Sequence, residues 1–193
     1  MIVDLHCDTI SEIYKNKGIS LKENDLMIDL NKLKKSDVLL QCFAMFTYLP
    51  DVDSPYNYVN EMISVYEKEI EKNSSDIAFA KSYEDILKNT ANKKISAFLT
   101  IEEGEAIEGS IEKLIHFYNR GVRMMTLTWN FENCIGFGNK KLIKNNICTE
   151  YIPDKENGLK PFGFEVVEKM EELGMIVDIS HLSDAGIYDI IDM

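Results

Sequence analysis

Three places in the sequence combine residue types that can ligate a divalent metal ion with spacings that let them act together. His6-Cys7-Asp8 closes an apolar run, Ile2–Cys7, that reads as a β-strand. Alternate residues of a strand share a face, so His6 and Asp8 point together while Cys7 points away. A neutral imidazole and a carboxylate at i and i+2 suit zinc or another first-row divalent ion. The same two residues could instead form a buried His–Asp hydrogen bond, or Asp8 could open a capped turn. Glu102-Glu103-Gly104-Glu105 follows a second apolar run, Ile95–Ile101. Two adjacent acids at the carboxyl end of a strand are poorly explained by packing, and Glu102 is the ligand candidate. Glu103 and Glu105 read as first-turn acids favoured by the dipole of the helix that follows. His181 ends a third run, Met175–Ile179 with Ser180 after it. Each signal alone is weak, but the carboxyl edge of a parallel sheet is where active sites are built, and three strand ends there carry His/Asp, Glu and His. His116 has no acidic or His partner at ligand spacing on its helical segment and reads as a surface or packing residue.

The elements that would position these residues follow from the alternation of short apolar runs with longer helical periodicities, the mark of βα units and a parallel sheet. Five strands are expected: Ile2–Cys7, Val38–Phe46, Ile95–Ile101, Val122–Trp129 and Met175–Ile179. They are apolar on both faces, as strands covered by helices are. Helices are expected over Tyr58–Lys72, after Ser82 with Asp85 completing its cap, and over Ile107–Asn119. Another runs over Phe162–Leu173, with Pro161 in its first turn and Gly174 as its stop, and the last opens at Ser183. The polar, Gly-containing stretch Asn130–Lys160 is too long for an ordinary connection, and long loops after strands are where barrels place binding residues.

Bulk properties narrow the classes. A hydrophobic content of 45% with 28% charged residues is that of a globular chain able to build a core. Net charge is −12, which repels phosphate backbones and anionic lipid and argues against nucleic-acid binding. The start, Met1-Ile2-Val3-Asp4, lacks a basic signal-peptide region, and no apolar run reaches the ~18 residues of a membrane span, so a cytoplasmic protein without membrane association is expected. Cys7, Cys42, Cys134 and Cys148 are widely spaced and read as isolated thiols, not as a disulfide framework or a zinc ribbon.

Several segments resemble one family. Asp4-Leu5-His6-Cys7-Asp8-Thr9 is similar to a D-x-H-x-D start, and Ile101-Glu102-Glu103-Gly104 to a (V/I)-E-G-G element. Gly158-Leu159-x-Pro161-Phe162-Gly163 with Val177-Asp178-Ile179-Ser180-His181-Leu182-Ser183 resembles its G-L-x-P-F-G…D-(I/L)-(S/A)-H-(V/L)-S segment. The family is membrane (renal) dipeptidase, two-zinc hydrolases on a TIM-type (β/α)8 barrel, and the resemblance runs in order along the whole chain. It implies that His6 and Asp8 hold one zinc ion, Glu102 bridges two, and His181 holds the second, with a dipeptide as substrate and a metal-activated water as nucleophile. It does not supply a catalytic acid or base from this chain. Glu103 stands where the family has the first glycine, a change in backbone freedom. Trp129 stands where some members carry a substrate-contacting His, so Trp129 and Asn130 are the substrate-binding candidates.

A (β/α)8 barrel needs ~250 residues and eight strands, whereas about five βα units are legible here. The expectation is therefore a single barrel domain over 1–193, truncated at its C-terminal end, with its second zinc site incomplete; a homodimer stays an open option. Two other readings compete: an amidohydrolase- or phosphotriesterase-type metal barrel, which usually begins H-x-H, and a non-catalytic remnant or assembly subunit.

Overall fold

A computed structural model describes residues 1–144 and 147–193, with the side chains of 140–149 outside the description. In chain order the elements are β1 (Ile2–Asp4), α1 (Thr9–Lys15), α2 (Leu30–Lys35), β2 (Val38–Phe46), α3 (Pro55–Lys72), β3 (Ile77–Phe79), α4 (Tyr83–Ala91), β4 (Ile95–Glu102), α5 (Ile111–Arg120), β5 (Val122–Thr126), β6 (Lys140–Lys144), β7 (Ile147–Ile152), α6 (Pro161–Leu173), β8 (Ile176–Asp178) and α7 (Asp184–Ile191). The main sheet runs β1-β2-β4-β5-β8 with β3 beside β4. The pairs β1–β2, β3–β4 and β5–β8 are parallel, so the fold class is α/β as expected. Among the described residues no helix is long and apolar enough to cross a membrane.

By its contacts the chain divides into two compact units, residues 1–46 with 57–101 and 120–123, and residues 47–56 with 102–119 and 124–193. The first is built on β2, where six consecutive residues from Leu40 to Met45 are buried. A strand covered on both faces has no polar alternation, which is why its run was legible. Phe43 meets Tyr66 of α3 at 5.8 Å between ring centres, and Tyr66 meets Phe79 at 5.5 Å. Ile10 and Ile13 of α1 are buried in this unit, and the Ser11 hydroxyl donates to the Ala44 carbonyl.

The sequence reading missed α1 and α2, which are too short to show a period. Asp29 caps α2 by accepting the Lys32 amide at 2.8 Å, and it also accepts the Asn24 amide at 3.2 Å and meets the Lys32 ammonium at 2.9 Å. Burial alone would push the Asp29 carboxyl up, but the bonds from Lys32 and Asn24 outweigh it and hold the group below the usual carboxylate range. Asp29→Ala is expected to cost about 1 kcal/mol in urea unfolding at pH 7, the usual value of a lost N-cap. Because the folded group is the stronger acid, its stabilisation is complete above pH ~4 and fades as pH falls through the folded pKa, so the gap between variant and parent should close in acid.

In the second unit, Leu114 and Phe117 of α5 and Val166, Val167 and Met170 of α6 are buried. Gly174 ends α6 at φ 69°, and the Ser183 hydroxyl accepts the Gly186 amide at 3.1 Å to cap α7. The helix expected from Ile107 begins instead at Ile111, because Gly104–Ile107 forms a 3-10 turn and Glu108 and Gly109 both take positive φ. His116 packs against Tyr56 and Phe117. The stretch expected to be a loop contains the antiparallel pair β6–β7, whose apolar residues were hidden among lysines and acids. Cys7, Cys42 and Cys134 are free thiols, each pushed up to about 12 first by burial, and the side chain of Cys148 lies outside the description.

Candidate metal centre

In the first unit β1 ends at Asp4, three residues short of the expected Cys7. The Asp4 carboxylate accepts the His6 amide at 3.3 Å, a local turn that draws the backbone off the ladder. The Cys7 carbonyl still accepts the Ala44 amide at 2.9 Å, so the chain stays beside β2. Cys7 is buried while His6 and Asp8 are exposed, the alternation the i, i+2 reading required. Asp8 stands at the N-cap of α1, yet its side chain makes no capping bond. His6 Nε2 lies 3.5 Å from Asp8 Oδ1.

In the second unit Glu102 ends β4, its carboxylate only 9% exposed, with Oε1 3.6 Å from His181 Nε2. His181 does not end a strand as expected: β8 stops at Asp178, three residues earlier. Asp178 accepts the Ser180 amide at 2.9 Å, and the Thr126 hydroxyl donates to it at 2.6 Å. His181 follows at φ 65°, a conformation that non-glycine residues hold only when their surroundings impose it. Asn130 Oδ1 lies 3.3 Å from His181 Nδ1, which favours the tautomer that donates from Nδ1 and leaves the Nε2 lone pair toward Glu102.

Both pairs are too far apart for a good hydrogen bond. Their spacing fits another role. Two donors each about 2.0–2.1 Å from a tetrahedral ion stand about 3.3–3.4 Å from one another. The donor types, imidazole nitrogen and carboxylate oxygen, suit zinc, and at 3.5 and 3.6 Å the two pairs stand slightly wider than that spacing.

The expected strand over Val122–Trp129 closes at Thr126. The Trp129 amide turns away and donates to the Glu103 carboxylate at 3.1 Å. Trp129 packs with Tyr48, Phe131 and His181 at ring-centre distances of 5.8, 5.6 and 6.0 Å. The candidates Trp129 and Asn130 therefore both flank His181. Glu103 does cap the 3-10 turn through the Glu105 amide, as a first-turn acid should, but it is also completely buried at φ 92°.

Residues not singled out from sequence also shape this site. A Cβ on Gly138 would meet the Trp129 carbonyl oxygen at 2.7 Å and that of His181 at 3.2 Å, so only glycine lets the chain pass this close to both. A Cβ on Gly104 would meet the Leu127 carbonyl oxygen at 2.5 Å. Asn133 accepts the amides of Ile135 and Gly136 at 2.8 and 3.0 Å, closing the turn after Trp129. The Asn followed three residues later by Gly was the available sequence sign.

A profile of the membrane dipeptidase family (peptidase family M19) matches residues 1–193. An uncharacterized dipeptidase of Schizosaccharomyces pombe is 31% identical over all of this chain and 49% of its own length. A second uncharacterized dipeptidase of that yeast is 27% identical over all of this chain and 49% of its own length. The chain thus spans about half the length of these curated relatives. Among solved structures, a metallopeptidase described as dipeptidase AC superposes with a TM-score of 0.86 at 20% identity, covering 99% of this chain and 59% of that one. A metallopeptidase of Rhodobacter sphaeroides, liganded with a phosphinate mimic of the dipeptide L-Ala-D-Ala, gives 0.86 at 19% identity, covering 99% and 61%. The βα units are thus those of a partial TIM-type barrel, and with a profile match over every residue the chain belongs to the membrane dipeptidase family.

Proposed function

We propose that the protein carrying this chain hydrolyses dipeptides at a two-zinc centre, with His6 and Asp8 on one ion, Glu102 bridging both and His181 on the second. The observation that carries this reading is the spacing within each pair, 3.5 Å for His6–Asp8 and 3.6 Å for Glu102–His181. His6 and Asp8 in the first unit and Glu102 in the second are each of a donor type that zinc accepts. When bound, zinc would supply Lewis-acid polarisation of the scissile carbonyl and a lowered pKa for water.

The chain's own residues do the rest. Glu102 brings a carboxylate that is already desolvated, so its attraction for a cation is little screened. Asn130 holds the His181 ring by its Nδ1 side, as the outer partners of metal-binding histidines do. His6 and Asp8 line a cavity of about 500 Å³ whose far wall includes Leu26, Met27 and Ile28, room enough for a dipeptide. Trp129 and Asn130 would contact the substrate beside His181. The dipeptide mimic held by the Rhodobacter sphaeroides relative supports the substrate class.

The test is metal removal from the complete protein. Chelation is expected to lower hydrolysis of an unblocked dipeptide by at least ~10³-fold, the several kcal/mol a catalytic metal contributes, and zinc should restore it. Hydrolysis that persists after zinc is shown by elemental analysis to be gone would overturn the reading.

A further inference from the structure

Glu103 is the residue the proposed chemistry leaves unused. It stands where the family resemblance expects glycine, and its backbone takes φ 92°, which glycine adopts freely and other residues rarely do. A bulky acid in that conformation, with no solvent exposure, calls for a specific compensation. The structure supplies one. The carboxylate accepts three N–H groups: the Glu105 amide at 3.0 Å, the Trp129 amide at 3.1 Å and the Asn133 side-chain amide at 2.5 Å. Asn133 passes the constraint on, donating to the Leu127 carbonyl at 2.8 Å and accepting the amides of Ile135 and Gly136. Glu105 adds a second tie to the same segment by accepting the Cys134 amide at 2.6 Å.

The segment so fastened, Leu127–Gly136, carries Trp129, 6.0 Å from the His181 ring between ring centres, and Asn130, whose side-chain oxygen faces His181 Nδ1. We infer that Glu103 is a positioning residue: its buried carboxylate replaces the flexibility of the family's glycine with an anchor that sets Trp129 and Asn130, and through Asn130 the orientation of the His181 ring. The relay to His181 rests on the zinc reading above; the anchoring of Trp129 does not. Burial pushes the Glu103 carboxyl up while the bonds from Asn133, Glu105 and Trp129 oppose that rise, consistent with an acceptor held in place by its donors.

These 193 residues contain one tryptophan, so in the complete protein, with any tryptophan outside them replaced by phenylalanine, the emission reports on position 129. Glu103→Gly relieves the backbone while deleting the acceptor, and it should keep the far-ultraviolet circular dichroism of the parent. It is expected to raise the acrylamide quenching constant of Trp129 about twofold or more and to shift the emission to the red. Glu103→Gln can give its one oxygen to the Trp129 amide only by turning its NH2 onto the Glu105 and Asn133 donors, so it should recover the parent's shielding only in part. In zinc titrations against a chromophoric chelator, Glu103→Gly should weaken one of the two ions about tenfold or more, the usual cost of losing an outer-shell partner.

Unchanged quenching in a folded Glu103→Gly variant overturns the anchor. Changed emission with unchanged zinc affinity overturns the relay to His181 and confines Glu103 to the loop. If Glu103→Gly does not fold, Glu103→Asp decides in its place, since it withdraws the acceptor by one methylene, and unaltered shielding there overturns the anchor. Should the parent bind no zinc, the metal reading fails while the emission result still decides whether Glu103 holds Trp129.

Discussion

Alanine at Glu102 is expected to empty both metal positions of the complete protein, whereas alanine at His181 should empty only one. The distinction follows from the roles proposed. A bridging carboxylate serves two ions and sets their separation, so its removal leaves two cations with fewer donors and less charge compensation. His181 serves one, and its loss leaves the His6–Asp8 pair intact. Elemental analysis should return about two zinc ions for the parent, about one for His181→Ala and less than one for Glu102→Ala. Rates should follow. Loss of either ion removes several kcal/mol of transition-state stabilisation, so kcat/KM should fall at least ~10³-fold in each variant. Glu102→Gln sharpens the test, because it keeps the volume and one oxygen donor but not the charge. If it retained full zinc content and turnover, Glu102 would not be a ligand. Equal zinc loss in His181→Ala and Glu102→Ala would remove the bridging assignment and leave Glu102 as an ordinary single-ion donor.

The parts of this centre that were legible in the sequence are those written by local rules. Five of the six strands of the main sheet were found because each carries an apolar run, buried along most of β2 and β4 but exposed or half-buried in β1 and β8; the whole of Val38–Phe46 was placed correctly, and the three-residue β3 was missed. His6 and Asp8 were paired by period-2 alternation, and the buried Cys7 between two exposed side chains follows it. What was misplaced were strand ends, and one cause accounts for two of them. Ile2-Val3-Asp4 and Ile176-Val177-Asp178 are the same tripeptide, and in each the aspartate accepts the amide two residues on, that of His6 or of Ser180. The turn it makes releases the following histidine from the ladder, so the metal candidates sit just beyond the strands that deliver them. A strand count by hydrophobicity runs through such a turn because Leu5 and Ile179 are apolar too. Glu103 was unreadable for a different reason. Its partners Trp129 and Asn133 lie 26 and 30 residues away, and no local pattern distinguishes a buried anchor from a first-turn acid. The departure from glycine was the only sign, and its meaning lay in tertiary contacts.

The largest stability effect is expected at Tyr66. Its ring is 1% exposed between Phe43 and Phe79, and its hydroxyl donates to the Ala97 carbonyl at 3.0 Å. Tyr66→Ala removes an entire aromatic side chain from between the Phe43 and Phe79 rings, a change that costs about 3–5 kcal/mol. Whole domains hold together by only ~5–15 kcal/mol, so the variant should be marginal at 37 °C. Its Tm should fall by roughly 10 °C or more, at the ~2–4 °C per kcal/mol usual for chains of this size. Tyr66→Phe separates packing from hydrogen bonding. The Ala97 carbonyl also accepts the Ala80 amide at 2.8 Å, so losing the hydroxyl does not orphan a buried acceptor. Its cost should therefore stay near 1 kcal/mol, the net worth of an ordinary hydrogen bond. Calorimetry or urea unfolding of both variants checks the split. If Tyr66→Phe lost as much as Tyr66→Ala, the ring would not be what the first unit is built around, and the hydroxyl would be holding α3 to β4.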